Sequence, residues 1–134
     1  MKNNLLKVPY AKSTHGEEEI KAVIEVLKTS TQMGKNVSLF EKKVSEMFAK
    51  KFGLMTNSGT SSLMLAGEAL DLPKGSEVIT AAFTFATTVT PILKNNLIPV
   101  FIDSEESSWN MCPKSLELAF KKYLPKAVLL TDLY

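Results

Sequence analysis

The chain of 134 residues holds one cysteine, Cys112, and one histidine, His15. A single cysteine excludes an intramolecular disulfide, and the two residues together are too few for a Cys/His zinc site. No basic stripe interleaved with aromatics is present. The 16 basic and 14 acidic residues leave a formal net charge of +2, so nucleic-acid binding has no positive support. No apolar run approaches membrane-spanning length. The opening "MKNNLLKVPY" is charged but lacks the apolar segment of a secretory signal. Internal repeats and low-complexity tracts are also missing. What is present is a chain 45% hydrophobic, enough for one globular unit with a core. A cytoplasmic protein is expected.

The first part reads as helical. Thr14 and Glu17 fit a capping box, and the run Glu17, Glu18, Glu19 suits the positive end of a helix dipole. Ile20, Val23, Ile24 and Leu27 follow at the spacing of one helix face. "TSTQMGKN", residues 29–36, reads as a loop. Ser38 and Glu41 form a second capping box, opening a helix with an apolar face of Phe40, Val44, Met47 and Phe48.

From Phe52 onward strands and helices alternate. "FGLMT" reads as a strand, "GTSSLMLAGEAL" as a helix and "LPKGS" as a turn. "EVIT" is a strand, and a helix follows within "FATTVTPILKNN". "IPVFID" is a strand, "SEESSWNMCP" a polar loop, "KSLELAFKKY" a helix and "AVLLTDLY" a strand. The face of that last helix is Leu116, Ala119, Phe120 and Tyr123. This alternation with short connections predicts an α/β fold, a parallel sheet with helices on both faces. The expected division is 1–51, an arm with helices, and 52–134, the sheet domain. A sheet domain that stops directly after an apolar strand is expected to be the N-terminal part of something longer.

The stretch "TNSGTSSLMLAGEAL", residues 56–70, is the first candidate for chemistry. In open α/β sheets ligands bind at the carboxyl ends of strands, and "NSGTSS" sits at such an end and runs into a helix. A helix N-terminus offers free N–H groups and partial positive charge. Gly59 leaves room for a phosphate to approach the main chain, and Ser58, Thr60 and Ser61 add hydroxyls. The pattern is neither a Walker A loop nor a GxGxxG fingerprint. Taken alone, the pattern is better explained by a plain capped loop. The second candidate is "EVITAAFTFATT", where Phe83 and Phe85 stand at the end of the next strand. An aromatic there can lie against a planar cofactor ring; the alternative is that both rings are core. If the strand continues the two share a side, and if a helix has begun only one faces the site.

Three blocks, "FEKKVSEMFAKKFGLMTNSGTSSLMLA", "GSEVITAAFTFATTVTPIL" and "IPVFIDSEESSWNMCPKSLELA", resemble in order and spacing the N-terminal part of the DegT/DnrJ/EryC1/StrS sugar aminotransferase family. The resemblance runs from about "STHGEEEIKAVIEVL" to the end of the chain. It implies the large domain of a fold-type-I enzyme, the aspartate-aminotransferase fold, with pyridoxal 5'-phosphate as cofactor. It further implies that Gly59 and Thr60 bind the cofactor phosphate with Ser58 adjacent, and that Phe85 stacks on the pyridine ring. Asp103 closes its strand near the site and takes no assigned contact. "TQMGKN" resembles the segment that approaches the neighbouring active site in the family's homodimer.

The resemblance implies transfer of an amino group from an amino-acid donor to a nucleotide-linked keto-sugar, as in polysaccharide, lipopolysaccharide or antibiotic sugar pathways. The family's cofactor-linking lysine and the acid that pairs with the pyridine nitrogen fall beyond Tyr134, so no catalytic residue is assigned. Lys94 and Lys114 read as solvated charges, His15 as an exposed neighbour of a cap, Cys112 as a bystander and Trp109 as a loop anchor. The alternatives are a sugar 3-dehydratase of the same family, which carries histidine at the lysine position, and an inactive fragment or binding module that keeps only a phosphate pocket. The 134 residues alone are expected to be inactive.

Overall fold

The structure is a computed structural model that describes residues 8–32 and 34–131. The chain divides into two units, Met1–Gly53 and Leu54–Tyr134. The first unit holds α1 (Glu17–Thr29) and α2 (Lys35–Met47). The predicted helix over α1 forms, and Ile20, Val23, Ile24 and Leu27 lie at least 44% exposed along it. Its cap differs from the expected one. Gly16, not Thr14, is the N-cap, and Glu19, not Glu17, reaches back to accept the Gly16 N–H at 2.6 Å. The carboxylate one turn into the helix is the one that can close on the cap.

That geometry has a pH consequence. The Gly16 N–H, and after it the N–H of Glu19 itself, hold the Glu19 carboxyl below its ordinary value. A depressed carboxyl adds stability above its unfolded value and loses it as pH falls through the folded one. Helix content in α1 is therefore expected to drop at acid pH, below the usual carboxylate range. Glu19→Gln should flatten that part of the circular dichroism titration, and an unchanged titration would refute the cap.

α2 also starts earlier than Ser38 and Glu41 suggest. Gly34 is its N-cap, and the Ser38 N–H donates to Gly34 O at 3.0 Å, which places Ser38 one turn inside the helix. Phe40, Met47 and Phe48 are exposed and Val44 is half-buried. The connection is shorter than the expected 29–36, since α1 runs through Thr29 and α2 begins at Lys35; Met33 within it lies outside the described residues.

The second unit holds α3 (Gly59–Ala69), β1 (Glu77–Ala81), α4 (Ala86–Lys94), β2 (Ile98–Ile102), α5 (Pro113–Lys122) and β3 (Ala127–Leu129). The strands form a parallel sheet in the order β2-β1-β3. Ile79 faces Val100 on one side and Val128 on the other. β1 is central, so its run Val78, Ile79, Thr80, Ala81 is buried on both faces, as a parallel core strand requires. Alternation sends Val78 to one face, where it packs with Ile92 of α4 and Leu97. Ile79 and Ala81 face the other way, against Val100, Ile102, Met111 and Ala119 of α5, with Leu116 and Tyr123 beside them. Helices thus cover both faces, as the alternation predicts, although Phe120 of the expected α5 face stays 51% exposed. The "LPKGS" turn forms as read. Ser76 N–H donates to Pro73 O at 3.0 Å, and Gly75 takes φ +82, a left-handed conformation open to glycine at little cost.

Two strand predictions change. Residues 52–56 are not a strand: Phe52 and Leu54 are 80% and 73% exposed, and Thr56 belongs to the loop before α3. The last strand covers only Ala127–Leu129, and residues 132–134 of the expected strand lie outside the described residues. Among the described residues no helix is long and apolar enough to cross a membrane.

Candidate functional site

α3 and α4 pack together, and both lead by short connections into the amino ends of parallel strands, α3 into β1 and α4 into β2, so they run the same way. Gly67, late in α3, sits against Pro91 and Asn95, late in α4, so closely that a Cβ on it would fall 2.9 Å from Pro91 Cβ. Glu68 and Lys94 pair nearby at 3.5 Å. Contact between the C-terminal halves of two co-directed helices brings their N-termini to the same edge. That edge is the carboxyl end of the sheet, because α4 follows β1 directly.

The start of α3 is built by hydroxyls. Ser58 is the N-cap, and its Oγ accepts the Ser61 N–H at 3.2 Å. Thr56 Oγ1 donates to Ser58 O at 2.8 Å and lies 2.6 Å from Ser62 Oγ. Ser61 Oγ donates to Asn57 Oδ1 at 2.6 Å. This lattice explains why residues 56–58 form a loop of fixed shape instead of continuing a strand. It also leaves the N–H groups of Gly59 and Thr60 without a protein acceptor among the described residues, and the Thr60 hydroxyl without a partner. A Cβ on Gly59 would meet nothing within 4 Å, so nothing crowds this glycine. Two free N–H groups, the positive end of a helix and an open approach together suit an anion such as a phosphate.

Phe85 stands at the same edge, as the N-cap of α4, with its side chain 75% exposed. β1 ends at Ala81 and α4 begins at Ala86, so the two phenylalanines part company. Phe83 turns to Trp109, ring centroids 5.3 Å apart and planes tilted by 46°. Trp109 thus makes the expected packing contact with Phe83 while itself 55% exposed, with φ 60. The strand ends are tied by Thr84, whose Oγ1 donates to Thr88 Oγ1 at 3.0 Å and lies 2.9 Å from Thr131 Oγ1. Asp103 follows β2 and accepts the Ser104 N–H at 2.9 Å through Oδ1. His15 is exposed, and Cys112 is the half-buried N-cap of α5. No group of three or more potential metal ligands occurs among the described residues.

Sequence reasoning singled out Ser58, Gly59, Thr60 and Phe85; the first three stand at the start of α3 and Phe85 at the start of α4. It missed the bracing by Thr56, Asn57 and Ser62, for which the only signal is the density of hydroxyl residues around Gly59. It also missed the Gly67 contact, whose signal is a glycine inside a helical run.

The family model of the DegT/DnrJ/EryC1/StrS aminotransferase family matches residues 13–134. The chain is 35% identical over 112 residues to dTDP-4-dehydro-2,6-dideoxy-D-glucose 3-dehydratase of Saccharopolyspora spinosa, covering 77% of this chain and 24% of that protein. It is 31% identical over 119 residues to 3-oxo-glucose-6-phosphate:glutamate aminotransferase of Bacillus subtilis (strain 168), covering 88% of this chain and 27% of that one. The structure of E. coli GDP-4-keto-6-deoxy-D-mannose-3-dehydratase with bound hydrated PLP superposes with a TM-score of 0.79 at 30% identity, over 86% of this chain and 31% of that one. The chain therefore spans roughly a quarter to a third of these relatives' length. With the match over residues 13–134 and the shared α/β architecture, the chain belongs to the DegT/DnrJ/EryC1/StrS aminotransferase family.

Proposed function

We propose that the whole protein is a pyridoxal-phosphate-dependent aminotransferase that acts on a nucleotide-linked keto-sugar with an amino-acid donor. The observation that carries this reading is the open start of α3, with the unpaired N–H groups of Gly59 and Thr60 behind a glycine that nothing crowds. Gly59 and Thr60 donate to the cofactor phosphate, and the α3 dipole favours its charge. The Thr60 hydroxyl adds a third donor. Ser58 holds the α3 start in shape: its Oγ accepts the Ser61 N–H, lies 3.1 Å from Ser61 Oγ and donates to Asn57 Oδ1 at 3.5 Å. Phe85, exposed at the start of α4, lies against one face of the pyridine ring and fixes its plane. When bound, pyridoxal phosphate supplies the electron sink for exchange of the amino group. These residues bind and orient; the 134 residues by themselves turn over no substrate. A homodimer is the expected assembly of the whole protein.

Thr60→Val tests the assignment while keeping side-chain shape. Loss of one charge-assisted hydrogen bond is expected to weaken cofactor retention about tenfold. The check is the cofactor content of the whole protein after dialysis, and an unchanged content would remove Thr60 from the site.

A second reading is a 3-dehydratase on the same cofactor. It is supported by the 35% identity to the Saccharopolyspora dehydratase and by the superposition on the E. coli dehydratase. The two readings share every residue assigned here. Incubation of the whole protein with a keto-sugar nucleotide and glutamate separates them, since an amino sugar is the product of the first and a deoxy sugar of the second.

A further inference from the structure

The amino ends of the strands, on the edge away from Gly59, border a cleft of roughly 520 Å³ between the turn before β1 and the connection from α5 to β3. Lys74, Lys122 and Lys126 line it, all exposed. The ion pairs of the described residues are Lys42 with Glu46, Lys94 with Glu68 and Lys121 with Glu117, so none of these three lysines takes part in one. Glu77 is the one carboxylate in the lining, and it is already engaged: its Oε2 accepts the Leu124 N–H at 2.9 Å. Three lysines against one carboxylate leave two positive charges in excess, as many as the formal net charge of the whole chain. Lys122 closes α5 and complements its dipole, but Lys74 and Lys126 lie outside any helix and have no such role.

Like charges gathered at a concave surface repel one another and focus a positive potential, which an anion relieves. Ser76 and Tyr123 also line the cleft, and Lys122 Nζ lies 5.0 Å from the Tyr123 ring centroid. We propose that this cleft is a second anion site, separate from the cofactor site, that binds the pyrophosphate group of a small ligand.

The test is calorimetric titration of inorganic pyrophosphate into the cofactor-loaded whole protein at low ionic strength. It is compared with Lys74→Gln/Lys122→Gln/Lys126→Gln, whose exposed substitutions leave the core untouched. Saturable binding is expected, at least about tenfold weaker in the triple variant, the loss that one charge-assisted hydrogen bond brings, with cofactor content equal in both proteins. No binding to the unaltered protein, or equal binding to both, would overturn the proposal.

Discussion

Replacing Gly59 by valine is expected to leave the protein folded and to cost about 100-fold in retention of pyridoxal phosphate, since two charge-assisted hydrogen bonds are lost and each is worth about tenfold. The two halves of that result have separate causes. Gly59 opens α3 without a left-handed φ, and a Cβ on it meets nothing within 4 Å. The fold therefore has no need of a glycine there, and unfolding by urea should move by less than about 0.5 kcal/mol, the usual range for a surface change. The side chain would instead fill the space before the Gly59 and Thr60 N–H groups, where the phosphate is proposed to sit. Cofactor content after dialysis and urea midpoints measure the two halves. A stable variant that keeps its cofactor would mean the glycine has no part in binding.

Gly67→Leu is expected to do the reverse, with a loss of stability of about 2 kcal/mol. Even a methyl group at this position would stand 2.9 Å from the Cβ of buried Pro91 and 3.2 Å from Asn95 Nδ2. Neither neighbour gives way easily. Pro91 is a ring inside α4, and Asn95 Nδ2 is committed to Pro91 O at 2.9 Å. Overpacking of this kind costs about 1–3 kcal/mol and sits at the upper end for a whole isobutyl group. Leucine recovers about 1 kcal/mol in helix propensity over glycine. Because the contact aligns α3 with α4, cofactor retention should fall too, but only in step with the loss of fold. Denaturant unfolding is the measurement, and a variant as stable as the parent would contradict the close approach of the two helices.

The parts of the fold that were legible in the sequence are those with one dominant local signal. Val78 to Ala81 form a short apolar and β-branched run just after a turn with Pro73 and Gly75, and that length and composition suit a buried strand. Helices α3, α4 and α5 follow from apolar spacing and from turn residues that bound them. The caps were harder to read. Thr14 with Glu17 and Gly16 with Glu19 both have capping-box spacing, and the choice rests on which carboxylate reaches a free N–H, which composition does not encode. Residues 52–56 have strand composition, but a strand needs a partner edge, and β propensity reports fitness for a sheet surface without supplying that edge. In the candidate site, Gly59 and its hydroxyl neighbours were legible as a cradle because a helix start needs little else. The separation of Phe83 from Phe85 was not, since it turns on where α4 begins.

The start of α3 is proposed to hold the cofactor phosphate. A crystal structure of the whole protein with pyridoxal phosphate tests it most directly. Phosphate oxygens are expected within about 3.2 Å of the N atoms of both Gly59 and Thr60, the range of N–H···O hydrogen bonds, with the Phe85 ring against the pyridine. A phosphate bound elsewhere, with the N–H groups of Gly59 and Thr60 facing solvent, would contradict the account.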